Sequence, residues 1–219
     1  MFSETKYRKN DDYRLGLCTD FLTNPNNLDS VEFKCQFSQS YRILRLPSAP
    51  VEEDKVQNLI ILAHGTGVAP FISMLEFIQK ANLMQKYAVT MVFGVRDNQE
   101  DFLFRDFLLN FFSASPHSNL LLACSRSIHE LATPANVHML KGYVQQTVKE
   151  DPVVGELKLS KHLAQMLLDP TTSLQICGNK SSMGKEAIEA LQSIGALEDD
   201  AKVEAMKASG QLLMELWGE

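Results

Sequence analysis

From Asn58 onward, short apolar runs alternate with stretches of helical spacing, and few folds accommodate that order. Residues 59–63 read as a buried strand, and 68–80 place Phe71, Met74, Leu75 and Ile78 on one helical face. The pattern continues as strand 88–93, helix 101–112, strand 119–124, helix 157–168, strand 173–177 and helix 182–194. Strands separated by helices pair in parallel through right-handed crossovers, so the expected fold class is α/β with a parallel sheet. Ligands of such sheets bind beyond the carboxyl ends of the strands, near the point where strand order reverses. Function is therefore sought in the residues just after each strand.

Residues 1–57 differ from the rest. They hold short β-like segments at 31–37 and 41–46, a turn cluster at Asn24-Pro25-Asn26-Asn27, and a proline-containing acidic stretch at 47–55 that reads as a linker. This divides the chain into 1–57 and 58–219. A net charge of −6 argues against a broad nucleic-acid face and restricts any basic site to a local one. Cys18, Cys35, Cys124 and Cys177 form no CxxC pair, which argues against zinc and suits reduced thiols in a cytoplasmic protein. No stretch reaches the roughly 18 apolar residues of a bilayer span, and residues 1–10 are too polar for a signal peptide or anchor.

The strand ends are distinctive. After the first comes His64-Gly65-Thr66-Gly67-Val68-Ala69-Pro70-Phe71. Its glycines allow a sharp turn, Pro70 suits an opening helix, and the free N–H groups of a helix start attract a pyrophosphate. Read as residues alone, this is either an anion cradle or only a tight connection. Gly94-Val95-Arg96 follows the second strand, and Ser125-Arg126 the third. A strand-end arginine beside a hydroxyl can fork onto a phosphate, or simply lie solvated. Lys141-Gly142-Tyr143-Val144-Gln145 supplies a further cation and an aromatic ring for adenine, or else an ordinary helix start. Cys177-Gly178-Asn179 follows the fourth strand, where the thiol is either a lining group or a small buried hydrophobe. Trp217, the only tryptophan, stands two residues from the C-terminus, a position that asks for a ligand or a sheet edge.

In this order, GTGVAPF at 65–71, FGVR at 93–96, DFLF at 101–104, SR at 125–126, KGYVQ at 141–145, CGN at 177–179 and Trp217 resemble the ferredoxin–NADP reductase family, in its diflavin branch. Gly16-Leu17-Cys18-Thr19 is similar to that family's FAD pyrophosphate motif, and residues 37–47 to its approach to the NADPH domain. The resemblance spans nearly the whole chain. It implies a Rossmann-like NADP-binding domain at 58–219, preceded by a partial β-rich FAD-binding segment at 1–57. Within the branch, the GLCT form, the longer insert between Arg126 and Lys141, and VEAMK at 203–207 resemble the methionine synthase reductases. The iron–sulfur assembly type shares GLC and Gly178-Asn179.

The resemblance implies roles for named residues. Gly65, Thr66 and Gly67 would hold the NADPH pyrophosphate, with Arg96 also at the cofactor. Ser125, Arg126, Lys141, Tyr143, Val144 and Gln145 would take the 2′-phosphate and adenosine. Gly16, Leu17, Cys18 and Thr19 would contact FAD. Cys177 and Glu215 would line the hydride-transfer site, Glu186 would stand near the nicotinamide, and Trp217 would cover the flavin ring. Three features depart from the family pattern: His64 replaces its usual proline, the segment after Met206 is several residues shorter than the family's, and nothing before Gly16 matches its Arg-x-Tyr-Ser flavin motif. The chain thus resembles the C-terminal third of a larger enzyme, with an FMN domain elsewhere. The implied activity is hydride transfer from NADPH to FAD, then electron passage through FMN to a protein acceptor such as methionine synthase. A different diflavin-reductase acceptor, or an NADPH-binding module without turnover, is the alternative.

Overall fold

Along β3 (Gln57–His64), Leu59, Ile61 and Ala63 point to one side and Ile60 and Leu62 to the other, and all five are fully buried. A strand apolar on both faces must lie between two layers, as parallel strands do. The computed structural model describes residues 6–9, 12–15 and 55–217. In it β3 is a central strand of a six-stranded sheet.

Two compact units divide the chain, 1–41 and 42–219. In the first, β1 (Lys6–Lys9) pairs antiparallel with β2 (Asp12–Leu15), Lys6 facing Leu15 and Lys9 facing Asp12. The GLCT segment at 16–19 and the β-like segments at 31–37 and 41–46 lie outside the described residues.

The second unit runs from β3 through a 3₁₀ turn (Gly65–Val68), α1 (Ala69–Lys80), β4 (Tyr87–Asp97), α2 (Arg105–Ala114), β5 (Asn119–Ser127) and β6 (Val137–Lys141). It continues through α3 (Val144–Lys149), the antiparallel pair β7 (Val153–Val154) and β8 (Leu157–Lys158), and α4 (Leu159–Leu167). It ends with β9 (Ser173–Asn179), a π turn (Lys180–Gly184), α5 (Lys185–Ser193), α6 (Asp200–Ser209) and β10 (Leu212–Trp217). Every neighbouring pair in the order β10-β9-β3-β4-β5-β6 is parallel. The chain therefore steps outward from β3 to β6, returns to the other side of β3 as β9, and ends on β10. Strand order reverses between β3 and β9, which is where an α/β sheet of this kind opens a ligand crevice.

The helices cover both faces. Phe71, Leu75 and Ile78 of α1 and Leu108, Phe111 and Phe112 of α2 pack with Leu59 and Ile61 on one side. Val148 of α3, Leu163 of α4, Ala187 and Leu191 of α5, and Val203 and Met206 of α6 pack with Ile60 and Leu62 on the other. This is the doubly wound, Rossmann-like α/β fold that the strand–helix alternation implies.

Several boundaries move for local reasons. Helix α2 begins at Arg105 rather than at 101, because Phe104 adopts left-handed backbone at φ 55° and cannot continue a helix backward. Helix α4 begins at Leu159 because Leu157–Lys158 is taken up in pairing with β7. Residues 180–184 form a π turn ahead of α5, a local widening frequent beside functional sites. Strands β4 and β5 run on to Asp97 and Ser127, beyond their apolar stretches.

Three half-buried imidazoles are expected to make the fold pH-sensitive. Burial lowers the pKa of His64, His138 and His162 below the ordinary 6.5. His162 Nε2 lies 2.8 Å from the Thr90 hydroxyl. A histidine whose folded pKa is depressed contributes stability that is complete above 6.5 and falls as pH drops through that value, because the unfolded chain takes up protons the folded one resists. Asp97 and Asp169, also lowered, contribute stability that is complete above the ordinary carboxylate value of 3.8 and is lost only as pH falls through and below it. Thermal melting at pH ~5.5 is thus expected a few degrees below that at pH ~7.5, about 2–4 °C for each ~1 kcal/mol lost. An unchanged midpoint would show that these imidazoles do not resist protonation in the fold.

Candidate functional site

Strand register gathers the singled-out residues along one edge. Glu215 pairs with Cys177, Cys177 with Ala63, His64 with Gly94, Val95 with Cys124, and Cys124 with Lys141. With neighbouring strands about 4.8 Å apart, the carboxyl edge from β9 to β6 spans about 19 Å. Gly65–Gly67 stand immediately beyond β3, Arg96 near the end of β4, Ser125 and Arg126 at the end of β5, and Lys141 at the end of β6. One elongated edge, not scattered faces, carries them.

At the β3–β9 end the packing is close. A Cβ on Gly67 would lie 2.5 Å from the Cys177 carbonyl oxygen and 2.9 Å from a ring carbon of Trp217, so the turn can sit here only as glycine. Gly65 differs: its φ is +52°, and a Cβ built there meets nothing within 4 Å. The surface over Gly65 is open, and the N–H groups of the first 3₁₀ turn lack partners upstream in their own helix. That is a backbone cradle for an anion. Cys177 is 1% exposed, and burial, with Glu215 adding, pushes its thiol up to about 12. It is therefore a neutral S–H group near pH 7, able to donate weakly but not to act as a thiolate. Trp217 ends the edge strand β10 opposite Asn179 and is 41% exposed. The alternative of a sheet edge is thus where it stands, with its ring against the glycine turn.

The opposite end is basic and exposed. Lys141 Nζ donates to the Arg126 backbone carbonyl, tying β6 to the tip of β5, and both side chains are exposed. The Ser125 hydroxyl donates to the Val95 carbonyl at 3.3 Å, which leaves its oxygen lone pairs able to accept. Tyr143 is 57% exposed at the start of α3, where its N–H donates to Gln146 Oε1 at 3.0 Å. Gln145 donates to Glu186 Oε2 at 2.8 Å, joining α3 to α5. Arg96 is engaged by Asp101 at 2.8 Å. Val144 is buried, and its Cγ2 lies 2.7 Å from a Cβ built on Gly94, so it packs under the edge rather than on it.

Asn98 gave no signal in the sequence. It is fully buried, donates to the His129 carbonyl at 2.8 Å and accepts the His129 N–H at 2.7 Å. His129 Nε2 also sits 2.8 Å from Asp97, and Asp97 pairs with Ser127. These bonds pin the loop that follows Arg126. An asparagine in a polar run reads as a turn, and only the fold reveals it as a clamp.

The donor set suits a ligand with two separated anionic groups, one over the glycine turn and one at the Arg126–Lys141 end. Among the described residues no His, Cys, Asp and Glu cluster fits a metal ion, and no helix is long and apolar enough to cross a membrane.

Comparison with known proteins agrees. The oxidoreductase NAD-binding domain family matches residues 61–188. Methionine synthase reductase of Mus musculus is 27% identical over 92% of this chain and 30% of its own length. NADPH–cytochrome P450 reductase of Dictyostelium discoideum is 28% identical over 79% of the chain and 24% of its own length. NADPH-dependent diflavin oxidoreductase 1 of Debaryomyces hansenii is 26% identical over 93% and 30% respectively. The chain spans about a third or less of these relatives. With a family match over more than half its residues and diflavin reductases as relatives, the chain belongs to the oxidoreductase NAD-binding domain family, in the diflavin branch of the ferredoxin–NADP reductases.

Proposed function

We propose that residues 58–219 form the NADPH-binding domain of a cytoplasmic diflavin reductase, delivering hydride from NADPH toward FAD, with electrons passing through an FMN domain to methionine synthase. The observation that carries this reading is one carboxyl edge with a glycine turn, a neutral thiol and an aromatic ring at one end and two exposed cations at the other. Gly65, Thr66 and Gly67 hold the pyrophosphate through backbone N–H groups. Arg126 and Lys141 take the 2′-phosphate, Ser125 accepts or donates beside them, and the exposed Tyr143 ring stacks on adenine.

Gln145 and Glu186 position α3 against α5 along the nucleotide, Arg96 braces the β4 tip through Asp101, and Val144 fixes the start of α3 from below. Cys177 and Glu215 line the nicotinamide end without ionising the thiol, and Trp217 shields the flavin ring from water. Gly16, Leu17, Cys18 and Thr19, which lie outside the described residues, are assigned to FAD by sequence likeness alone. FAD, when bound, supplies two-electron acceptance and one-electron release, chemistry no side chain here offers.

Methionine synthase as acceptor follows the GLCT and VEAMK likeness and the similarity to methionine synthase reductases. An acceptor of the cytochrome or iron–sulfur kind is the second reading, the first favoured by similarity of the same order to an NADPH–cytochrome P450 reductase and the second by the GLC and Gly178-Asn179 likeness. Calorimetric titration of the chain with NADP⁺, NAD⁺ and 2′,5′-ADP tests the nucleotide assignment. NADP⁺ and 2′,5′-ADP are expected to bind and NAD⁺ to bind at least ~10-fold more weakly, one charge-assisted contact being worth about 1.5–3 kcal/mol. Equal affinity for NADP⁺ and NAD⁺ would remove the 2′-phosphate site. Flavin absorbance in the purified chain distinguishes a domain that retains FAD from a nucleotide-binding module alone.

A further inference from the structure

We propose that His64 is a positioning residue for Trp217: its imidazole, as an acceptor, holds the carboxyl end of β9 and with it the ring at the end of β10. His64 is the last residue of β3, at the reversal of strand order. Its side chain occupies space that two glycines leave. A Cβ on Gly94 of β4 would lie 3.1 Å from His64 Cβ, and a Cβ on Gly178 of β9 would lie 3.1 Å from His64 Cδ2. From that slot Nε2 accepts the backbone N–H of Asn179 at 3.3 Å. Asn179 is the register partner of Trp217, and the imidazole and indole centroids are 6.5 Å apart at 59°. One side chain thus touches the backbone beside Trp217 and flanks its ring.

The arrangement works only with a lone pair on Nε2. A second proton would set an N–H against the Asn179 N–H and remove the bond. The groups around the ring are Gly94 from β4, Gly178 and Asn179 from β9 and Trp217 from β10. The titratable side chains those strands bring to neighbouring register positions are Cys177, which stays a neutral thiol, and Glu215 opposite it, while Arg96 on β4 is paired with Asp101. Burial lowers the His64 pKa, so the acceptor form prevails near neutrality and is lost on acidification. The consequence for ligand binding rests on the nucleotide reading above. With Trp217 released, the nicotinamide end is freed, while the distant Arg126–Lys141 end is untouched.

Trp217 is the only tryptophan, so tryptophan emission of the full chain, excited selectively beyond the tyrosine band, reports on this place alone. Titrated from pH ~7.5 to ~5 across the imidazole range, the wild type is expected to show one transition with its midpoint below 6.5. His64→Gln, whose amide oxygen can accept the Asn179 N–H but does not titrate, should keep the neutral-pH signal and lose the transition. His64→Ala should give the released signal at every pH. A transition that survives in His64→Gln, or is missing from the wild type, overturns the proposal, and the glutamine variant decides even if the alanine one fails to fold. The ratio of NADP⁺ to 2′,5′-ADP affinity should rise severalfold on acidification in wild type and stay flat in His64→Gln. Loss of the fluorescence transition in His64→Gln with no nucleotide binding in either chain would uphold the His64–Trp217 coupling and overturn the nucleotide reading instead.

Discussion

Replacing Arg126 and Lys141 together by alanine is expected to weaken NADP⁺ and 2′,5′-ADP binding about 100-fold or more while leaving NAD⁺ binding within a few-fold of wild type. Each charge-assisted contact to phosphate is worth about 1.5–3 kcal/mol, and the lower end applies at an exposed edge, so each removal costs roughly 10-fold. The two effects should not simply multiply. Lys141 Nζ also donates to the Arg126 carbonyl, so Lys141→Ala removes a cation and loosens the β5 tip that presents the other. The single Lys141 variant is therefore expected to lose at least as much as Arg126→Ala. Arg126→Lys should recover only part of the loss, since a lysine cannot make the forked contact. Raised salt should narrow every difference. A double variant that binds 2′,5′-ADP as tightly as wild type would place the 2′-phosphate elsewhere.

The sequence made the β3–Gly65–α1 unit legible because its two signals reinforce one another: a run buried on both faces and a glycine turn capped by Pro70. The strand tips of the candidate site were legible for the same reason, GTG, Arg96, Ser125-Arg126, Lys141 and Cys177 each standing at or just beyond a strand end. What escaped was of three kinds. The ends of β4 and β5 carry Arg96, Asp97, Ser125 and Arg126, polar residues held in strand across a β-bulge by the Asp97–Ser127 pairing rather than by their own propensity. The edge strand β10 reads Leu-Leu-Met-Glu-Leu-Trp, rich in helix formers, and becomes a strand because Gly210 at φ 77° ends α6 and β9 offers a free edge. Strand β6 is short, with only Val137, Met139 and Leu140 apolar between polar neighbours, so it gives no strand signal of its own. In each case tertiary pairing overrode a local pattern, and the Asn98 clamp and the His64 slot belong to the same class of information. The segment at 16–19 lies outside the described residues, and its flavin role stays a matter of sequence likeness.

The two glycines of the turn should fail in opposite ways. At Gly67 a methyl group would meet the Cys177 carbonyl oxygen at 2.5 Å, a backbone atom that cannot swing aside, and the Trp217 ring at 2.9 Å. Overpacking of a well-filled site costs about 1–3 kcal/mol, and the upper end is expected where the obstacle is backbone. For a domain of this size about 3 kcal/mol corresponds to a drop in Tm of roughly 6–12 °C. The fluorescence of Trp217 should shift as well, because the indole is one of the two groups that must move. At Gly65 there is space but the backbone sits at φ +52°, where an L residue pays about 1–2 kcal/mol, a smaller loss of stability. That new methyl would project into the open surface over the cradle, so Gly65→Ala should lose nucleotide affinity out of proportion to its stability while the Trp217 signal holds. Thermal melts, nucleotide titrations and emission spectra of the two variants side by side would show this crossing pattern. A Gly67→Ala chain as stable as wild type would mean that the turn does not pack against Cys177 and Trp217, and the shared wall of the site would go with it.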